Sequence, residues 1–341
     1  MFSERKSFYQ RLGELRGSTI ITYITSDKPG MEAQIASDVL NIFPKHLDYL
    51  PSYNGKISLF ISSRGGNTLA GWGIVNLIKM FCDNFEVIIP SKALSTATLI
   101  SIGADSILMT KQATLGPIDP SINGPYNPQA PGMPPNAKLP VSVEDVIKFI
   151  DLARNELGKD KDLTSIFTQL ANNVHPLALG SVYRSRTQIQ MLAGRLLKQH
   201  MNDEGKISEI IAFLCSDSGS HDYTINRREA KNNLNLPVIR PTPEEYSLIK
   251  SIYEDLRREM DIDNPFAPNI LIGSQSRVNY SVPRVILETI AGGSDKWISE
   301  GTLAKIQLQP APSIPGTNFA FPPQMAINDE RTFEAWRHDN G

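Results

Sequence analysis

A chain of 341 residues, 40% hydrophobic and 21% charged, is long enough to bury a sizeable core and has the make-up of an ordinary globular protein. Its formal net charge of −2 leaves no basic footprint for nucleic acid or an anionic membrane surface. The two cysteines, Cys82 and Cys215, have no metal-ligand spacing and are read as reduced core thiols, so neither a metal nor a cofactor is expected. The first residues, Met1 to Phe8, lack the apolar centre of a signal peptide, and no apolar run reaches the roughly 18 residues that cross a bilayer. A cytoplasmic protein without an integral membrane segment is the expectation.

In chain order, Thr19–Thr25 reads as a strand, and Met31–Leu50 as a helix that starts after Lys28-Pro29-Gly30. Two strand–turn–helix units follow. In the first, Ile57–Ile61 is the strand, Ser62–Thr68 a turn holding Gly65 and Gly66, and Leu69–Phe81 a helix with apolar residues at helical spacing. In the second, Phe85–Ile89 leads to Ser95 at the head of a helix rich in small residues. Prolines crowd residues 117–141, which predicts a long irregular loop. Ser142-Val-Glu-Asp145 has the form of a capping box opening a helix to about Leu157, and Tyr183–Leu197 forms an amphipathic helix. Its Arg184, Arg186 and Arg195 are read as a solvated basic face. Beyond Pro241 come a charged helix over Glu244–Met260, short strand-like runs at Asn269–Gly273 and Asn279–Val282, and a short apolar run at Val285–Ile290. Pro310, Pro312, Pro315, Pro322 and Pro323 mark an extended tail. The expected organisation is an α/β domain over residues 1–240 and a partly irregular C-terminal extension over 241–341.

Ser95 is the residue on which function turns. A serine where a strand passes into a helix stands beside unpaired backbone N–H groups and the positive end of the helix dipole, which together favour an oxyanion. A helix N-cap is the alternative role for it. Gly65-Gly66, one strand–helix unit upstream, lets the backbone approach a substrate closely, and in an open α/β sheet the C-terminal strand ends are where ligands bind.

Ser63-Arg-Gly-Gly66, Lys92-Ala-Leu-Ser95-Thr-Ala-Thr98, Ala104–Met109, Leu115-Gly-Pro-Ile-Asp-Pro120 and Ser220-His-Asp-Tyr-Thr-Ile225 with Glu229-Ala230 resemble, in order, the serine dehydrogenase proteinase family. That family belongs with the Clp-protease and signal-peptide-peptidase relatives of the crotonase-like fold, and the resemblance runs over about Thr19 to Val238. It implies stacked βαβ units with helical additions, assembled as a homo-oligomer, and an ATP-independent serine peptidase acting on a peptide or protein. Ser95 falls on the nucleophile position, and Gly66 and Thr96 where two backbone N–H groups form the oxyanion hole. Gly65 and Asn67 flank that turn as substrate-binding positions. Asp222 falls on the triad aspartate.

The triad histidine, due soon after the strand containing Met109, is absent: the chain reads Gly116-Pro-Ile-Asp119-Pro there. A serine hydroxyl needs a base to take its proton. Of the five histidines, His221, beside Asp222, is the first candidate. Lys92 and Lys138 are candidates for a serine–lysine dyad of the kind the membrane-associated relatives use. Two alternatives stand beside the peptidase: a catalytically silent binding or scaffolding member, and acyl-thioester chemistry on coenzyme A esters, which needs the two N–H groups but no serine.

Overall fold

The computed structural model describes residues 1–50, 55–118, 121–122, 124–130, 132, 137–156, 163–217, 220, 222–308 and 325–339. The chain opens with helix α1 (Phe2–Arg16) and strand β1 (Ser18–Thr25). A short helix α2 (Phe43–Leu47) precedes β2 (Lys56–Ser62), α3 (Thr68–Lys79), β3 (Asn84–Ile89), the two-residue β4 (Lys92–Ala93), α4 (Thr96–Ile102), β5 (Ser106–Met109) and β6 (Thr114–Leu115). Next come the β7 (Ser121–Ile122) and β8 (Val141–Ser142) ladder and helices α5 (Val143–Glu156), α6 (Leu163–Asn173), α7 (Pro176–Leu197) and α8 (Glu204–Ala212). The last third holds β9 (Ile225–Asn226), α9 (Arg227–Asn232), β10 (Val238–Ile239), α10 (Pro243–Glu259), α11 (Pro268–Ile272) and three long strands, β11 (Arg277–Thr289), β12 (Gly293–Gln307) and β13 (Met325–Asp339).

One eight-stranded sheet organises the molecule, in the order β10-β5-β3-β2-β1-β11-β12-β13. From β10 to β1 every neighbour is parallel, whereas β11, β12 and β13 continue antiparallel. The parallel strands are buried along most of their length because helices cover both of their faces. Alternation along them sorts the side chains. Ile57, Leu59 and Ile61 with Phe85, Val87 and Ile89 face a cluster shared with Ile74, Ile78, Ile100 and Leu196. Phe60, Ile88 and Leu108 face a second cluster with Phe2, Tyr9 and Leu12 of α1 and Ile249, Ile252 and Leu256 of α10.

Several sequence expectations change. Met31–Leu50 is not one helix: Met31–Ala36 runs beside the Gly66 turn, Ser37–Asn41 is a 3-10 turn, and α2 opens with Pro44 in its first turn. Proline suits a helix start and not a helix interior, so the run is divided there. Asn269–Gly273 lies mostly in α11, with Pro268 at its first turn, and not in a strand. The two short runs from Asn279 onward belong to one strand, β11, whose register shifts at Pro283/Val285, where proline has no ladder donor. Residues 325–339 pair along β12 where an extended tail was expected, while the prolines of that tail lie outside the described residues. Helix α5 starts as its capping box predicts, with Asp145 N–H donating to Ser142 Oγ at 3.1 Å. Both cysteines are buried and neither is in a disulfide. Among the described residues no helix is long and apolar enough to cross a membrane, and no group of His, Cys, Asp and Glu has metal-binding geometry.

Candidate active site

The site forms where the chain leaves β2 and β3. Two main-chain bridges tie these exits together: Ser63 N–H donates to Lys92 O (3.1 Å) and Leu94 N–H to Ser63 O (3.0 Å). Ser63 Oγ, 2.7 Å from Thr25 Oγ1, accepts the Gly65 N–H at 3.0 Å and fixes the turn. Gly65 and Gly66 have φ of +106° and +149°, backbone that favours glycine. The close approach requires it as well. A Cβ on Gly65 would stand 2.8 Å from Ser95 Cβ, and one on Gly66 would stand 2.3 Å from Ile35 O.

Ser95 occupies the N-cap position of α4 with φ 52° and ψ −115°, and its side chain makes no capping hydrogen bond. Among the described residues its hydroxyl has no hydrogen-bond partner, and it faces a cleft of about 440 Å³. The N–H groups of Gly66 and Thr96 likewise have no acceptor among the described residues. Thr96 Oγ1 donates to Gly66 O at 2.7 Å, so the side chain that follows the serine orients the glycine peptide. Thr98 Oγ1 donates to Ala93 O (2.7 Å) and accepts the Gly116 N–H (3.1 Å), which holds the loop after β6 against the serine turn. A small sheet, β4-β6-β9, completes the cleft by bringing Gly116 and Pro117, and Asp222 to Thr224, beside Ser95.

The other sequence candidates distribute as follows. Asp222 lines the cleft with its side chain exposed; its neighbour His221 lies outside the described residues. The Lys92 ammonium is held by Asp27 and does not line the cleft. Lys138 is exposed, pairs in an isolated bridge with Gln129, and is not a cleft residue. Asn67 caps α3, its Oδ1 accepting the Ala70 N–H at 2.9 Å. The four described histidines are engaged elsewhere. His46 contacts Asp295 and Thr289, and His338 contacts Asp295, each at 3.0 Å. His175 accepts the Leu177 N–H as the cap of α7, and His200 Nε2 lies 2.7 Å from Ile102 O. Gln34, Arg64, Tyr223 and Thr224 also line the cleft. Arg64 is exposed and has no ion pair among the described residues, and its place beside Gly65-Gly66 was the signal for it. Gln34 carried no such signal, because its segment reads as helix.

An α/β sheet with a serine held at a strand-to-helix junction, beside two unengaged backbone N–H groups, defines the class of this fold and site. Residues 49–136, which contain Gly66, Ser95 and Thr96, match the model of the ClpP-like, SDH-type serine proteinase family. Two uncharacterised proteins of Methanocaldococcus jannaschii are similar. One is 31% identical over 205 residues, 60% of either chain; the other is 28% identical over 186 residues, 53% of either chain. The alignment thus spans little more than half the length of these relatives. Among solved structures, a membrane-bound stomatin-specific protease has 13% identity over 73% of this chain and 92% of its own, with a TM-score of 0.38. A ClpP1 variant from Listeria monocytogenes has 15% identity over 69% and 98%, with a TM-score of 0.36.

Proposed function

We propose that the protein is a serine peptidase that uses Ser95 as nucleophile, needs no nucleotide, and acts on a peptide or protein chain. The observation that carries the reading is the Ser95 side chain: at the head of a helix it leaves the cap unmade and stands free in a cleft beside two unengaged N–H groups. In this mechanism Ser95 Oγ attacks the peptide carbonyl, and the base takes its proton. The Gly66 and Thr96 N–H groups receive the charge that develops on the carbonyl oxygen. Collapse expels the amine with that proton, and water then hydrolyses the acyl-serine ester by the same route. The base in this reading is His221, with Asp222 as its orienting carboxylate. Lys92 is the weaker choice, since its ammonium would have to leave Asp27 and lose its proton.

A catalytically silent binding member is the second reading, supported by one observation: no described histidine lines the cleft. A fluorophosphonate probe separates the two. The peptidase reading expects labelling of the wild type, none of Ser95→Ala, and a rate lowered in His221→Ala. Absence of labelling from neutral to alkaline pH would overturn the peptidase reading.

A further inference from the structure

The segment Ala33–Ala36 has two sides. On one side Ile35 N–H donates to Gly65 O (2.8 Å) and Ile35 O accepts the Asn67 N–H (2.7 Å), so the segment lies directly against the Gly66 turn. On the other side Ala33, Gln34 and Ala36 line a second cavity of about 310 Å³. Tyr23 of β1, Arg284 of β11, Trp297 of β12 and Trp336 of β13 close it. Gln34 lines both this cavity and the Ser95 cleft, so the two spaces share a wall.

The chemistry of the cavity is that of an aromatic pocket. Trp297 and Trp336 meet edge to face, with ring centroids 6.0 Å apart and planes at 80°, and both are half-buried. The polar end of Trp336 is already satisfied, since its Nε1–H donates to Asp38 at 2.7 Å. Arg284 is likewise committed through its terminal nitrogens to Ser299, Glu334 and the Glu32 carbonyl, although its buried Nε has no acceptor among the described residues. What the pocket offers a ligand is therefore ring surface, and aromatic rings packed edge to face or offset gain attraction beyond their buried area. Its volume is at the small end for ligand pockets and suits a single side chain better than a whole small molecule.

We infer that this cavity is a specificity pocket for one large aromatic side chain of the peptide whose carbonyl is presented to Ser95. The inference rests on the peptidase reading of that serine. An extended chain advances about 3.3 Å per residue with alternate side chains on opposite faces, so a residue near the scissile bond can cross the Gln34 wall while its neighbours stay in the cleft.

The test uses Ser95→Ala protein, which binds without turnover, and end-blocked peptides carrying one Phe at successive positions, with Gly-substituted peptides as controls. Trp297 and Trp336 are two of only three tryptophans, so their emission reports the pocket directly. Phe at one position is expected to tighten binding at least tenfold and to change the emission. Ala33→Leu, which fills the cavity, or Ala36→Phe, introduced at an exposed position, is expected to abolish the preference. Equal binding of Phe and Gly peptides at every position, or a preference unchanged in both filled variants, overturns the pocket. Fluorophosphonate labelling distinguishes the other failure: an unlabelled wild type that keeps the Phe preference retains the aromatic pocket and loses the peptidase.

Discussion

Ser95 holds a backbone conformation, φ 52° and ψ −115°, that costs an ordinary residue about 1–3 kcal/mol. Its neighbours over-determine it: Gly65 is packed against its Cβ, and Leu94 is bonded to Ser63. The oxyanion assignment makes a prediction at this scale. Gly66→Ala forces a Cβ against Ile35 O and displaces the N–H, so labelling by a fluorophosphonate is expected to slow by about 100-fold, the effect of losing one such donor. Thr96→Val, which loses the bond to Gly66 O, is expected to slow it less, and Thr96→Ser to restore the wild-type rate. Wild-type rates in both Gly66→Ala and Thr96→Val would remove Gly66 from the oxyanion hole. The serine and its glycine turn were legible because both are local patterns of strand, turn and helix. The Asp27 partner of Lys92 was not, because nothing in a linear sequence announces an ion pair between residues far apart in it. Gln34 was hidden for another reason, the helical reading of Met31–Leu50.

At the scale of elements, α1 shows what the sequence did not disclose. Its apolar positions are sparse among charged ones, and it gains its place through tertiary packing on α10. At the centre of that contact Arg5, fully buried, bonds Glu288 and Asp255 at 2.5 Å and Glu259 at 2.6 Å. Glu288 comes from β11, so one guanidinium joins two helices to the sheet. Removing one partner of a buried pair leaves an uncompensated charge. Arg5→Met is therefore expected to lower the unfolding free energy by about 3–5 kcal/mol in urea titrations, and Glu288→Gln in the same chain to recover part of it. A loss under 1 kcal/mol in Arg5→Met would show that the cluster contributes little. The strands β2 and β3 were legible as apolar runs. The strands β12 and β13 were missed because half-buried, charge-rich strands lack such a run, and β13 follows a proline-rich stretch.

At the scale of the whole molecule, buried carboxylates tie distant parts of the chain together. Burial pushes the Glu86 carboxyl up, but hydrogen bonds from Arg16, Lys56 and Ser58 outweigh it and hold it below its ordinary 4.5. Burial acts in the same way on Asp295, where His46 and His338 bring it below 3.8, and on Glu259, where Arg5 and Lys296 bring it below 4.5. A carboxyl depressed by folding stabilises fully above its unfolded value and loses that contribution as pH falls through the folded one. Thermal stability is thus expected to be level with respect to these groups above about pH 5 and to fall steadily below 4.5, as read by circular dichroism melts across pH. Glu86→Gln is expected to flatten that fall, and an unchanged acid slope would show that Glu86 stays protonated or unpaired in the fold. The central strand β1 carries one more consequence. It lies between β2 and β11, and Thr22 pairs with Glu288 across most of the chain length. During synthesis one edge of β1 stays open until β11 emerges from the ribosome. Closing that seam is a long-range step of the kind that slows folding, and the open edge is the point at which a partly made chain is most exposed to pairing with the wrong partner.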